Sequence, residues 1–128
     1  MDTATETILP QPEQCPNAQQ CSARLNNIGD ALYVIGGKWK LRIILALREQ
    51  PMRFNELQRT IEGISAKVLS NELKDLELNG FVKRIVDTGM PVVVTYEPTD
   101  YTHTLKDVLR TLAEWGEQHR EKLRNEAR

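Results

Sequence analysis

No run of about 18 apolar residues occurs in the chain, so no segment is suited to cross a bilayer as a helix. The N-terminus also lacks the basic stretch followed by an apolar one that marks a secretory leader, and a cytoplasmic location without membrane contact is the expectation. Cysteine and histidine are scarce, at two each. Cys15 and Cys21 are separated by five residues and stand far from His103 and His119, so metal-site spacing is missing. In a reducing compartment both thiols are expected to stay free, without a structural disulfide between them. A phosphate-cradling glycine loop is lacking too, because Gly36-Gly37 ends one helical pattern and opens another with no strand before it. Neither an enzyme nor a bound metal or cofactor is indicated, and the two histidines are expected to be surface or packing residues.

Charge of one sign is equally scarce over the whole chain, with a formal net of −1. The average conceals a gradient. Residues 1–20 hold Asp2, Glu6 and Glu13 with no lysine or arginine, and setting them aside leaves 17 basic against 15 acidic residues, a net of +2. Within 37–86, ten basic residues meet six acidic ones, a net of +4. That local excess is what release of counterions from nucleic-acid phosphates requires, although many plain surfaces match it. With Pro10, Pro12 and Pro16 among Gln, Thr and Asn, residues 1–20 are expected to form a flexible arm, leaving 21–128 as one domain.

What is present in abundance is helical periodicity. Leu69, Leu73 and Leu76 recur at i, i+4 and i+7 and should face a core. Ala66, Lys67, Ser70, Asn71 and Lys74 share the opposite side. Short side chains there let a backbone approach DNA, Ser and Asn offer donors and acceptors to base edges, and Lys meets phosphate or guanine. Ser65 is placed to cap this helix and Asn79-Gly80 to stop it, giving a recognition helix over about 65–79. The β-rich runs 81–87 and 92–97 flank Thr88-Gly89-Met90-Pro91 and predict a hairpin, the wing, over about 82–97. Lys83 and Arg84 alternate along its first strand, so only one of them can face a given partner. The alternative is an amphipathic helix and surface hairpin that read nothing.

Upstream, Leu25, Ile28, Leu32 and Ile35 predict a helix ended by Gly36-Gly37. A second pattern starts near Lys38 and carries apolar residues nearly all round (Trp39, Leu41, Ile43, Ile44, Leu45, Ala46 and Leu47), which predicts a central helix packed on most sides. Phe54, Leu57 and Ile61 mark a short third helix, joined to the recognition helix by Glu62-Gly63-Ile64 as in a helix-turn-helix. After the wing, Tyr101, Leu105, Val108, Leu112 and Trp115 form a heptad-like seam on a helix over about 100–126, with Leu109 as a second flank. That seam either packs on its own domain or joins two copies, and two-fold dimers are the commonest oligomers. The fold class is α+β, mostly α: a winged helix-turn-helix flanked by N- and C-terminal helices, the last of them suited to self-association.

Ile35-Gly36-Gly37-Lys38-Trp39-Lys40, Met52-Arg53-Phe54-Asn55-Glu56-Leu57, Gly63-Ile64-Ser65 with the leucines after it, and Glu114-Trp115-Gly116 together resemble the HxlR family of bacterial transcription regulators, relatives of the MarR type. The likeness covers about residues 25–120. It implies a homodimer that binds a pseudo-palindromic operator in double-stranded DNA and regulates its own or a neighbouring gene. Leu25, Ile28 and Leu32 of the first helix would meet a partner together with Tyr101, Leu105, Val108, Leu112 and Trp115. The resemblance also implies base and phosphate contacts by Ser65, Ala66, Lys67, Ser70, Asn71 and Lys74, and backbone contacts by Arg53 and Asn55. Each keeps a plainer reading: Arg53 a solvated charge, Asn55 a cap of the third helix, Ser65 only a cap. Since the wing tip around Gly89 has no basic residue, Lys83 or Arg84 would have to serve phosphate from the wing's base.

Two departures from that family's pattern stand out. Many members carry Cys-Pro about nine residues before Ile-Gly-Gly, and in some that thiol senses electrophiles or oxidants. Here the interval ends at Asn26, with Cys15-Pro16 and Cys21 further upstream. Cys21, near a helix start and one turn before Arg24, and Cys15 as a resolving thiol are the redox candidates. Pro98-Thr99-Asp100-Tyr101-Thr102 replaces the usual start of the last helix and predicts a shifted start, with Thr99 and Asp100 as caps. Two other functions fit the same pattern: a winged helix used for protein interaction, and a small-molecule receptor with a pocket lined by Tyr33, Trp39 or Trp115.

Overall fold

In the computed structural model of the chain, residues 17–127 are described. They fall into two compact units, one ending at Gly36 and one beginning at Gly37. The first unit contributes helix α1, Ala18–Ile35. Asn17 caps it, its side-chain oxygen accepting from the Gln20 N–H at 2.8 Å. Ala18, Gln19 and Gln20 are therefore helical, three residues ahead of the boundary expected for the arm, because the capping asparagine lies before Cys21. None of the residues of α1 is buried, and Leu25, Ile28 and Leu32 are each more than half exposed.

The second unit runs α2 (Lys40–Glu49), α3 (Phe54–Thr60), α4 (Ala66–Leu78), β1 (Val82–Asp87), β2 (Val93–Pro98), a 3-10 helix (Asp100–Leu105) and α5 (Lys106–Glu126). Its core joins Ile43, Ile44 and Leu47 of α2 to Leu57, to the leucine stripe of α4, and to Phe81 and Val82. Burial of each such side chain contributes about 1.5–3 kcal/mol. α2 is less enclosed than its all-round apolarity suggested: Leu45 is 46% exposed.

β1 and β2 pair antiparallel from Val82 opposite Pro98 to Asp87 opposite Val93. Met52 extends the sheet by one residue, exchanging backbone hydrogen bonds with Tyr96 at 3.1 and 2.7 Å. This fastens the loop between α2 and α3 to the base of the wing. At the same base of the wing Thr99 donates its hydroxyl to the Gly80 carbonyl and its N–H to the Phe81 carbonyl at 3.0 Å.

Those bonds explain a difference from the expected C-terminal helix. Thr99 is at the helix start but its side chain is spent on Gly80, not on a cap. The first turns accordingly wind as a 3-10 helix, and α-helical geometry begins only at Lys106. The heptad-like seam also splits. Leu105 and Leu109 are buried in this chain's own core, while Val108, Leu112, Trp115 and Leu123 line the exposed side. From Arg110 onward every described residue of α5 is exposed. No helix among the described residues is long and apolar enough to cross a membrane.

Candidate nucleic-acid interface

α3 and α4 are joined by a tight turn whose hinge is Gly63, at φ +88°. A side chain there would be strained, and glycine adopts this conformation freely. Ile64, buried just after it, anchors the turn in the core. Ser65 then caps α4 by accepting the Val68 N–H on its hydroxyl at 3.1 Å. At the far end Gly80, at φ +83°, donates to the Glu77 carbonyl, and the Phe81 N–H returns to the Leu76 carbonyl at 2.9 Å. Both ends of α4 are thus fixed by local hydrogen bonds.

Between these caps the two faces separate as the periodicity implied. Leu69, Leu73 and Leu76 are buried. Lys67, Asn71 and Lys74 fall in one exposed stripe at i, i+4 and i+7, with Ala66 exposed and Ser70 half-buried beside it. The stripe begins at the helix N-terminus, where backbone dipoles favour an approaching phosphate. Arg53 and Asn55, at the start of α3, are exposed as well. Asn55 is not the cap of α3: that position is Arg53, whose N–H donates to Glu56 Oε1 at 2.8 Å. Its polar side chain is consequently not occupied in capping that helix.

The two wing cations differ in environment. Lys83 lies opposite Glu97 with its ammonium 3.9 Å from the carboxylate, while Arg84 takes the other face, across from Tyr96. At the tip, the Gly89 N–H donates to Asp87 Oδ1 at 3.0 Å and Met90 is fully exposed. The tip therefore offers a carboxylate and a thioether, and any phosphate contact must come from nearer the base.

Sequence reading assigned Lys40 no role beyond its charge. Its ammonium sits 2.6 Å from Glu72 Oε1 and 3.6 Å from Asp75 Oδ2, linking the first residue of α2 to the flank of α4. The hydrogen bond to Glu72 raises the Lys40 pKa above its ordinary 10.5 against the opposing effect of burial, and the charges of Glu72 and Asp75 add to the rise. Glu72 and Asp75 stand at i and i+3 on α4, and Lys40 lies 32 residues upstream of Glu72.

Of the residues expected at a dimer interface, Leu25, Ile28, Leu32, Tyr101, Val108, Leu112 and Trp115 are exposed. Leu105 is corrected: it packs inward and has little surface left for a partner. Tyr101 stacks on Phe81 at 5.1 Å, and Trp115 stacks on His119 at 5.1 Å, which gives that histidine a packing role. His103 Nδ1 lies 3.4 Å from Arg48, whose guanidinium also donates to the Thr102 carbonyl.

The cysteine expectation is also corrected. Cys21, in the first turn of α1 and half-buried, takes part in a disulfide and is not a free thiol. Cys15, the chain's other cysteine, lies outside the described residues. A cleft of about 440 Å³ is lined by Arg42, Leu45, Ala46, Glu49, Thr60, Ile61 and Glu62, and none of Tyr33, Trp39 and Trp115 borders it. Trp39 is instead occupied by cations, with Lys38 at 4.9 Å and Arg42 at 5.5 Å from its ring centre.

Residues 34–124 match the model of the HxlR-like helix-turn-helix family. An uncharacterized HTH-type transcriptional regulator of Halalkalibacterium halodurans, BH0655, is 49% identical over 89 residues, which is 69% of this chain and 79% of that protein. The solved structure of the HTH-type regulator YtcD, a protein known from Bacillus subtilis, superposes with a TM-score of 0.70 at 37% identity, covering 73% of this chain and 96% of that one. The redox regulator HypR in its reduced form gives 0.71 at 34% identity, over 77% and 98% of the two chains. With a capped helix presenting a polar stripe after a glycine turn, a hairpin wing behind it, and these relatives, the chain belongs to the HxlR-like helix-turn-helix family of transcription regulators.

Proposed function

We propose that the protein is a cytoplasmic, sequence-specific DNA-binding transcription regulator that acts as a homodimer on a pseudo-palindromic operator, controlling its own or a neighbouring gene. The observation that carries this reading is the stripe Lys67, Asn71 and Lys74 on a helix whose opposite side is wholly buried. In the major groove, Ser70 and Asn71 meet base edges, Lys67 and Lys74 meet guanine or phosphate, and Ser65 and Ala66 allow close approach at the helix start. Arg53 and Asn55 meet the backbone beside it, and Arg84 serves the phosphates from the wing. Phosphate contacts set register and affinity, whereas the base contacts discriminate. The test is fluorescence anisotropy with duplex DNA from upstream of the protein's gene, where binding must weaken as salt rises.

Dimerisation is supported by exposed apolar side chains on two helices: Leu25, Ile28 and Leu32 on α1, and Val108, Leu112 and Trp115 on α5. A two-fold pair would set its recognition helices on half-sites about 34–36 Å apart. An oxidant effector acting through Cys21 and Cys15 is favoured by the disulfide at Cys21 and by the likeness to a protein named as a redox regulator. DNA affinity measured before and after mild oxidation tests it.

A further inference from the structure

A cation at the first residue of a helix opposes the positive end of the helix dipole, and α2 has no acidic residue in its first turn to offset it. Lys40 is nevertheless there, with its side chain only 15% exposed. What compensates it comes from another element: Glu72, 22% exposed, at 2.6 Å and Asp75 at 3.6 Å, both on α4. The buried residues of α4 are Leu69, Leu73 and Leu76, and apolar burial has no directional preference. These leucines therefore set the buried face of α4, and the finer rotation of the helix within that face is left to other contacts. A short charge-assisted hydrogen bond to one flank specifies that rotation.

Building on the DNA-reading role of α4, we propose that Lys40 is its positioning residue: it fixes the rotation of α4 so that Lys67, Asn71 and Lys74 face the groove together, and it holds Glu72 and Asp75 away from the phosphates. Lys40 touches no base in this arrangement. It governs discrimination between sequences and leaves the phosphate-driven affinity that all sequences share.

The experiment uses the full chain and a duplex that the wild-type protein enriches from a randomised library, with a scrambled duplex of the same length as reference. Affinities for both are measured at several salt concentrations for wild type, Lys40→Met, Lys40→Arg and Glu72→Gln. Lys40→Met and Glu72→Gln should each lower the ratio of specific to non-specific affinity by about tenfold or more, with the salt slope unchanged and Lys40→Arg close to wild type. A merely structural role would move thermal stability without moving that ratio in the folded protein. If Lys40 met phosphate directly, Lys40→Met would weaken both duplexes alike and reduce the slope by about one, and Glu72→Gln, freeing the ammonium, would tighten both. That result overturns the proposal, as does a ratio unchanged in both variants. Glu72→Gln is nearly isosteric and carries the test should Lys40→Met not fold. Unchanged ratios on an enriched duplex refute positioning alone; failure to enrich any duplex refutes DNA reading, and positioning with it.

Discussion

Lys83 and Glu97 face each other across the wing, ammonium to carboxylate 3.9 Å, while Arg84 lies on the opposite face of the same strand. Strand alternation thus separates two adjacent cations into one that shares its charge and one without an ion-pair partner among the described residues. Arg84→Ala should weaken DNA binding on all sequences alike and reduce the salt slope by about one. Removing Lys83 and Glu97 together takes away one charge of each sign and should leave affinity within about fivefold, since an exposed pair contributes roughly 0–1 kcal/mol. Salt titrations of both variants check this.

Capping and DNA contact can be separated at Ser65. Ser65→Ala removes the bond to the Val68 N–H and should cost about 0.5–2 kcal/mol of stability, read from urea unfolding. Ser65→Asp keeps an acceptor at the cap and should retain stability, yet lose DNA affinity because its charge would face phosphate.

The last helix allows a similar division. Leu112→Lys with Trp115→Lys alters exposed positions and should give a folded monomer by light scattering, near the chain mass of 14.7 kDa. Leu109→Ala, by contrast, opens a cavity in the core and should cost about 2–5 kcal/mol, with assembly following stability.

Alkaline pH should expose the contribution of Lys40. Its pKa is raised above 10.5 on folding, so the stabilisation is fully present below about 10.5 and is lost as pH rises through the higher folded value. The stability gap between wild type and Lys40→Met should hold steady from about pH 7 to 9 and shrink above about 10.5 in urea titrations.

Much of this molecule was legible in its sequence wherever short-range physics decides structure. The leucine stripe of α4, the Ser65 cap, the Asn79-Gly80 stop and the alternation of the wing are local patterns, and the helix and hairpin lie where those patterns put them. Less legible was what depends on distant partners. Leu105 and Leu112 share one heptad pattern, but the 3-10 turns that begin at Asp100 turn one inward and leave the other outside. Thr99 looked like a cap until the carbonyl of Gly80, 19 residues upstream, claimed its hydroxyl. Lys40 was one charge among ten because its carboxylate partners lie on another helix.

DNA reading by α4 is tested most directly by replacing Lys67, Asn71 and Lys74 with alanine together and measuring affinity for the upstream duplex, with circular dichroism to confirm an unchanged fold. All three side chains are exposed and none caps the helix, so the variant should fold as wild type and lose sequence-specific binding, by about 1–3 kcal/mol for each base contact removed. Equal affinity of the variant and the wild type for that duplex would contradict it.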